Sequence, residues 1–179
     1  LEISGIVEVR VGSGIYVLDT SHRDLKIGNE ITFMGAGPLE LLEARQEIET
    51  ANVALAAQRI EKNCLEELEQ ALGKMVRENM EGAGDDDREF HLLIAKATGN
   101  RVLEAVTANL WDQQQNSPMW VKLLELMKER KLHTIVLNDH HRILDCLRRK
   151  DSDEAQVIMR EHLNHARSIY FDLIGEEEN

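Results

Sequence analysis

The segment DREFHLLIAKATGN, residues 87–100, has the sequence signals of a helix, of its end and of the start of a second helix. Its apolar residues predict a helix over about residues 86–98. Gly99 favours a helix end, because glycine readily adopts the positive φ found there. Asn100 is a residue type that caps the first turn of a helix. Two helices joined by so short a turn indicate that helix packs on helix.

The helical pattern continues on both sides of this segment, from Pro38 to about residue 174. Pro38 and Pro118 stand where the first turn of a helix tolerates proline. The segment EGAGDDD, residues 81–87, interrupts the pattern before the third helix. We therefore predict an all-α fold, an antiparallel bundle of six or seven helices, preceded by a short β-hairpin. The predicted helices cover about residues 38–60, 64–80, 86–98, 100–115, 118 onward, 131–149 and 152–174.

The first predicted helix has apolar side chains at steps of three and four, which predicts the face that it buries. These residues are Leu41, Ala44, Ile48, Ala51 and Leu55. Arg45 lies between them and borders this apolar seam. Its guanidinium can reach Glu49, one turn further along the helix.

Residues 6–18, IVEVRVGSGIYVL, predict the hairpin, because β-branched residues flank a turn made by Gly12, Ser13 and Gly14. The chain is expected to divide into a segment 1–19 that ends with this hairpin, a linker 20–37, a helical domain 38–175 and an acidic tail 176–179. It begins without a methionine, at Leu1, so we expect that an N-terminal part precedes it.

The composition limits the partners of the chain. Thirty-three acidic residues against 21 basic ones give a formal charge of -12 over 179 residues, so most of the surface repels phosphate backbones. Any contact with nucleic acid is therefore expected to be local. Cys64 and Cys146 match no metal or disulfide motif and are predicted to be reduced packing residues in a cytoplasmic protein. The sequence contains no apolar run long enough to span a membrane.

Three of the seven histidines each lie on a different predicted helix and share a face with apolar residues. They are His91, His140 and His162, and Asp87 lies one turn before the first of them. Because each faces an apolar seam, we expect the four side chains to converge inside the bundle. Imidazole nitrogen and carboxylate oxygen are donors that zinc and similar divalent ions bind. The pattern predicts a metal site with open positions for an exogenous carboxylate or hydroxyl.

The spacing alone leaves alternatives. His141 adjoins His140, and adjacent helical residues point about 100° apart, so only one of the two enters the seam. His165 lies close to one turn after His162 and could replace it as a ligand. A single histidine is more often an ordinary core or surface residue than a metal ligand. A bundle without a metal is therefore the alternative interpretation.

Four segments, in this order, resemble the FCD effector-binding domain of FadR-subfamily GntR-type transcription regulators. They are LLEARQEIETANVALAA at 41–57, DREFHLLIAKATGN at 87–100, DHHRIL at 139–144 and MREHL at 159–163. GIVEVRVGSGIYV, residues 5–17, resembles the end of the winged helix-turn-helix domain that precedes FCD domains, with its wing. The resemblance covers essentially the whole chain and implies a sensor rather than an enzyme.

The resemblance also implies site residues. Members of the family with a metal site use one aspartate and three histidines, which correspond here to Asp87, His91, His140 and His162. The expected cofactor is a divalent metal, zinc first, with nickel, manganese or iron as alternatives. A homodimer would contact operator DNA through the N-terminal domain, most of which this chain lacks. The wing residues expected to approach the DNA are Arg10, Gly12 and Gly14.

Further segments are similar to repressors of hexuronate utilisation. They are GAGPLELLEARQEIE at 35–49, NSPMW at 116–120 and LRRKDSDEAQVIMREHL at 147–163. This similarity implies a sugar acid as effector, with aldonates or lactate as alternatives. Arg45 would then pair with the carboxylate of the acid, or else with Glu49. Trp120 would cover the apolar face of the sugar, or else anchor the fifth helix.

Two further functions use the same residues. A metal with three nitrogen ligands, one oxygen ligand and an open position can activate water, which suits a hydrolase acting on a small carboxylate or lactone. Asp139 or Glu89 would serve as its base, but the sequence shows no catalytic signature such as H-E-x-x-H. A purely structural metal is the other possibility.

Overall fold

The computed structural model describes residues 7–10, 14–17, 37–77, 83–129 and 132–177. Two strands, β1 (Val7–Arg10) and β2 (Gly14–Val17), pair antiparallel, with Val7 opposite Val17 and Arg10 opposite Gly14. The predicted hairpin is therefore present. Its turn residues Gly12 and Ser13 and the predicted linker up to residue 36 lie outside the described residues.

Seven helices follow in the described part of the chain, as predicted. They are α1 (Pro38–Arg59), α2 (Lys62–Arg77), α3 (Ala83–Ala97), α4 (Arg101–Gln115), α5 (Pro118–Glu129), α6 (His133–Arg149) and α7 (Ser152–Glu177). The helix α7 ends at Glu177 and so includes the first two residues of the segment predicted as an acidic tail. The helix α1 packs against α3, α4, α6 and α7, so it lies in the middle of the bundle.

Local signals in the sequence set several helix ends. Gly99 has φ +68° and ends α3, and the Asn100 side chain accepts a hydrogen bond from the backbone N–H of Val102 at 3.0 Å. Asp151 likewise accepts from the backbone N–H of Glu154 at 3.1 Å at the start of α7. The start of α3 differs from the prediction, because the helix begins at Ala83 rather than near residue 86. Acidic side chains in its first turn are favourable near the positive end of the helix dipole.

The core consists of two clusters. The larger cluster lies between α1, α2, α3, α6 and α7 and includes Val53, Phe90, Ile94, Ile143 and Met159. Cys146 belongs to it and Cys64 packs against it, and both are free thiols, as predicted. The smaller cluster joins α1, α4, α5 and α7 and contains Leu42, Trp111, Trp120, Leu123 and Tyr170.

The predicted buried face of α1 is wrong. Among its five apolar residues only Leu41 is buried, whereas Ala51 is exposed and the other three are half-buried. The helix instead buries a face that carries Arg45, Glu49 and Asn52 at steps of four and three. Polar side chains on a buried face need partners in the interior. The partners lie at the candidate site.

None of the described helices is both long enough and apolar enough to cross a membrane.

Candidate metal centre and its polar surroundings

Side chains from three helices meet inside the bundle at the predicted centre. The helix α3 supplies Asp87 and His91, α6 supplies His140 and α7 supplies His162. One potential ligand atom of each lies within 4.8 Å of the others, and the three histidines are buried. The four residues that the sequence analysis selected as metal ligands therefore lie together in the fold.

The atoms that face one another are ring Nε2 atoms and one carboxylate oxygen. His91 Nε2 lies 3.2 Å from His162 Nε2 and 3.5 Å from Asp87 Oδ1. His140 Nε2 lies 3.1 Å from the same Asp87 oxygen. Three imidazole nitrogens and one oxygen thus surround one small region, which is the donor set that divalent transition metals bind.

Two of these atoms are left without hydrogen bonds. His140 Nε2 and Asp87 Oδ1 are both buried; they contact each other at 3.1 Å without hydrogen-bond geometry, and neither makes a hydrogen bond to another described residue. A buried polar atom without a partner costs about 1–3 kcal/mol. A cation bound between them would remove that cost, so the residues present fit a divalent metal.

Carboxylates lie behind two of the rings. His91 Nδ1 contacts Glu49 Oε2, and His162 Nδ1 lies 3.6 Å from Asp139 Oδ2. His165 Nδ1 is 2.8 Å from the same oxygen of Asp139. Carboxylates in this position orient the imidazoles of metal sites and direct their Nε2 atoms toward the ion.

Burial and neighbouring charges shift the pKa values of the side chains at the centre. Burial lowers the pKa of His140 to about 4, so this imidazole is neutral at pH 7, the form that binds metal. Burial opposes the charged form of His91 too, but the carboxylates of Glu49 and Asp87 raise its pKa to about 9. Burial acts to raise the pKa of Glu49, and the charges of Arg45 and His91 outweigh it and lower that pKa to about 2. Glu49 is therefore ionised at pH 7.

The structure distinguishes between the adjacent histidines. His140 is fully buried and His141 is exposed, so only the first enters the centre. On α7, His162 lies at the centre, whereas 47% of the His165 side chain is exposed and its Nδ1 is paired with Asp139. Adjacent residues point in different directions on a helix, and the apolar neighbours of His140 and His162 decide which one is buried.

Arg45 forms the ion pair with Glu49. Its Nε donates to Glu49 Oε1 at 2.7 Å, and its Nη1 donates to Gln114 Oε1 at 2.9 Å. The guanidinium carbon lies 3.6 Å from the centre of the Trp111 ring, a cation–π contact. Both partners of the ion pair are 2% exposed. The guanidinium is thus fully engaged within the interface between α1 and α4.

Two stripes of side chains make this interface. The stripe Arg45, Glu49 and Asn52 on α1 faces the stripe Thr107, Trp111 and Gln114 on α4. Arg45 and Gln114 join the two stripes at one end. Asn52 Nδ2 donates to Thr107 Oγ1 at 2.9 Å and joins them at the other end. The sequence analysis missed the α4 stripe, although its spacing of four and three residues on one helical face is a detectable signal.

Trp111, rather than Trp120, is the tryptophan beside the centre. Its ring lies 5.3 Å from that of His91, between centroids. Trp120 packs at right angles to Trp111, 6.0 Å away, and is 5% exposed in the smaller cluster. The position of Trp120 is that of a packing anchor for α5.

Replacing Trp120 by alanine is expected to lower the free energy of unfolding by about 3–5 kcal/mol, because a large buried ring leaves a cavity. Urea titration followed by circular dichroism measures the change. Val121→Ala is the matched control, since Val121 is the next residue and 53% exposed, and its effect is expected to stay within about 0.5 kcal/mol. Equal effects of the two substitutions would contradict the packing role.

The remaining predicted residues lie elsewhere. Arg10 ends β1 and Gly14 begins β2, while Gly12 is outside the described residues. Glu89 is exposed on α3, and Asp139 contacts the Nδ1 side of His162, away from the atoms that face one another. Neither carboxylate has the position expected of a base acting in the centre.

Comparison with known proteins gives the family. The FCD domain matches residues 40–165. The Exu regulon transcriptional regulator of Escherichia coli K12 is 36% identical over 182 residues, covering 99% of this chain and 69% of that protein. The Uxu operon transcriptional regulator of the same strain is 35% identical, covering 96% of this chain and 73% of that protein. The Uxu operon regulator of Haemophilus influenzae is 33% identical, covering 99% and 67%.

Solved structures show the same fold. Escherichia coli McbR/YncC superposes with a TM-score of 0.64 at 21% identity, covering 97% of this chain and 80% of that one. Streptococcus agalactiae GntR gives 0.60 at 24% identity, covering 93% and 78%. The relatives are transcription regulators, so the hydrolase interpretation is wrong. The chain belongs to the FCD-domain family and contains the effector-binding domain of a transcription regulator.

Proposed function

We propose that this domain binds a hexuronate or a related small sugar acid at a divalent metal held by Asp87, His91, His140 and His162. Binding of the acid modulates the affinity of the whole regulator for operator DNA, through the N-terminal domain, and relieves repression. The observation that carries the proposal is the convergence of the four ligand atoms within 4.8 Å, two of them buried and without hydrogen bonds.

The metal, with zinc as first candidate, supplies a Lewis-acidic position for an anionic oxygen. The carboxylates around the metal ligands leave this position open. Glu49 orients His91, and Asp139 lies behind His162. Because both carboxylates contact the Nδ1 sides of the rings, the side between the Nε2 atoms is left for the ion and its ligand.

Buried charge favours an acid as the effector. Asp87 and Glu49 carry one negative charge each and Arg45 one positive charge, while Asp139 is paired with Arg142 at 3.5 Å and with a histidine. Metal binding displaces the proton that His91 otherwise holds at pH 7, and with three neutral imidazoles a divalent cation then leaves the buried group with one net positive charge. A single carboxylate neutralises that charge, and burial of unbalanced charge is costly.

The relatives are named as regulators of the Exu regulon and the Uxu operon, and the sugar-acid class is taken from the resemblance of the sequence to regulators of hexuronate utilisation. This chain is similar to them over nearly its whole length. The proposal includes a homodimer, since an operator with two-fold symmetry requires two DNA-binding arms. The signal is a shift between two arrangements of those arms, driven by unequal affinity of the acid for each.

Thermal denaturation with and without EDTA tests the proposal. Glucuronate, galacturonate, fructuronate, tagaturonate, galactonate and lactate are added in turn to the zinc-loaded chain. We expect one acid or a narrow group to raise the melting temperature by several degrees when its concentration is about 100 times its Kd, and EDTA to abolish the shift. Equal, metal-independent responses to all six acids would overturn the proposal. Destabilisation by EDTA without any response to acids would instead indicate a structural metal.

A further inference from the structure

Three buried polar groups next to the centre have no hydrogen-bond partner among the described residues. They are Trp111 Nε1, Gln114 Nε2 and the Tyr170 hydroxyl. All three side chains are 0% exposed. Buried groups of this kind are rare in folded proteins, and each calls for an explanation.

The three groups belong to one neighbourhood. Arg45 lies over the Trp111 ring and donates to the Gln114 oxygen, which leaves the amide nitrogen of Gln114 as its free end. Trp111 and Tyr170 share the smaller core cluster. The groups thus come from α4 and α7, and the two side chains of α4 contact the same guanidinium.

This neighbourhood adjoins the metal ligands. The Trp111 and His91 rings are 5.3 Å apart, and Arg45 is joined to His91 through Glu49. A carboxylate at the centre and a carbon chain directed toward Trp111 would therefore place the oxygens of that chain near the three groups.

The chemistry of the groups selects a ligand class. The indole N–H and the amide NH₂ only donate hydrogen bonds, and the phenol can donate as well. Their complement is a set of acceptor oxygens, such as the hydroxyls of a sugar chain. An acid without hydroxyls beyond its 2-position would leave the donors unpaired, and sites of this kind discriminate strongly against such analogues.

We infer that Trp111, Gln114 and Tyr170 form a hydroxyl-recognition subsite beside the centre, which selects polyhydroxylated acids over short acids such as lactate. The inference rests on the proposed function, because it requires that an acid binds at the centre. It assigns the choice of effector to α4 and α7, while the metal ligands recognise only the carboxylate.

Isothermal titration of the zinc-loaded chain with glucuronate, galacturonate and lactate tests this. Tyr170→Phe removes a single oxygen and keeps the ring. We expect it to weaken binding of the preferred hexuronate roughly tenfold or more and to leave lactate binding unchanged. Its thermal stability without ligand is expected to be equal or higher, because an unpaired buried hydroxyl is lost.

Trp111→Phe and Trp120→Phe form a matched pair within the smaller cluster. Of the two, only Trp111 has its N–H among the buried groups without a partner in the described residues, so only the first substitution is expected to lower hexuronate affinity relative to lactate. Hexuronate affinity that is unchanged in both Tyr170→Phe and Trp111→Phe, with strong binding by the wild type, would overturn the subsite and leave the proposed function intact. A wild-type protein that binds no hexuronate would overturn the proposed function itself.

Discussion

Replacing His140 by alanine is expected to lower the affinity for zinc by more than the 10- to 100-fold that loss of an outer hydrogen-bonding partner costs. His140 is 0% exposed, and its Nε2 lies 3.1 Å from Asp87 Oδ1 without a hydrogen bond. Removal of this ring takes away one of four donors, and the remaining three cannot restore the coordination. Competition with a chromogenic zinc chelator measures the change.

His141→Ala is a closely matched control, because the same residue type is removed one position further along the helix. His141 is exposed, so its substitution is expected to leave zinc affinity unchanged. Addition of EDTA should lower the melting temperature of the wild type and of His141→Ala, and have little effect on His140→Ala. Equal zinc affinities of the two variants would show that the convergence of side chains does not bind a metal.

Replacing Glu49 by glutamine is expected to lower the free energy of unfolding by about 3–5 kcal/mol. The substitution leaves the Arg45 guanidinium buried without a compensating charge, and breaking one partner of a buried ion pair has effects of that size. His91 also loses the carboxylate that contacts its Nδ1, so zinc affinity is expected to fall about 10- to 100-fold as well. Urea titration and the chelator assay measure the two effects separately.

The helix α1 provides the control for this substitution. Glu47 pairs with Arg160 at 2.9 Å, but its side chain is 64% exposed. Because solvent screens exposed ion pairs, Glu47→Gln is expected to have little effect on stability or zinc binding. The combination Arg45→Met with Glu49→Gln should recover part of the lost stability, since no unpaired charge remains. A loss below about 1 kcal/mol for Glu49→Gln would contradict the buried pair.

The sequence predicted the elements whose signals are local. Gly99 and Asn100 mark the boundary between α3 and α4 by themselves, and the structure confirms both roles. The histidines could be assigned to the interior because apolar residues one turn away share their faces, as for His140 and Ile143. Periodicity alone left His141 and His165 as alternatives, which the resemblance to the FCD domain and then the burial pattern removed.

The buried face of α1 could not be predicted in the same way. Periodicity analysis assumes that buried faces are apolar, whereas this helix buries Arg45, Glu49 and Asn52. Their burial depends on partners on α3 and α4, such as His91 and Gln114, which are distant in sequence. Trp111 was missed because a tryptophan at helical spacing is ordinarily a core residue. Local rules fail most often at functional sites, and α1 follows that tendency.

The central position of α1 gives the proposed sensor a short mechanical route. Glu49 and Pro38 belong to one uninterrupted helix, and eleven residues at about 1.5 Å each separate them by roughly 16 Å. The hydrogen-bonded backbone makes such a rod stiff along its axis and against twisting. A rotation of α1 about its axis at Glu49, next to the metal ligands, would therefore also rotate Pro38, where the predicted linker toward the hairpin ends. Binding at the centre would thus rotate the chain segment that precedes α1 without unfolding any helix.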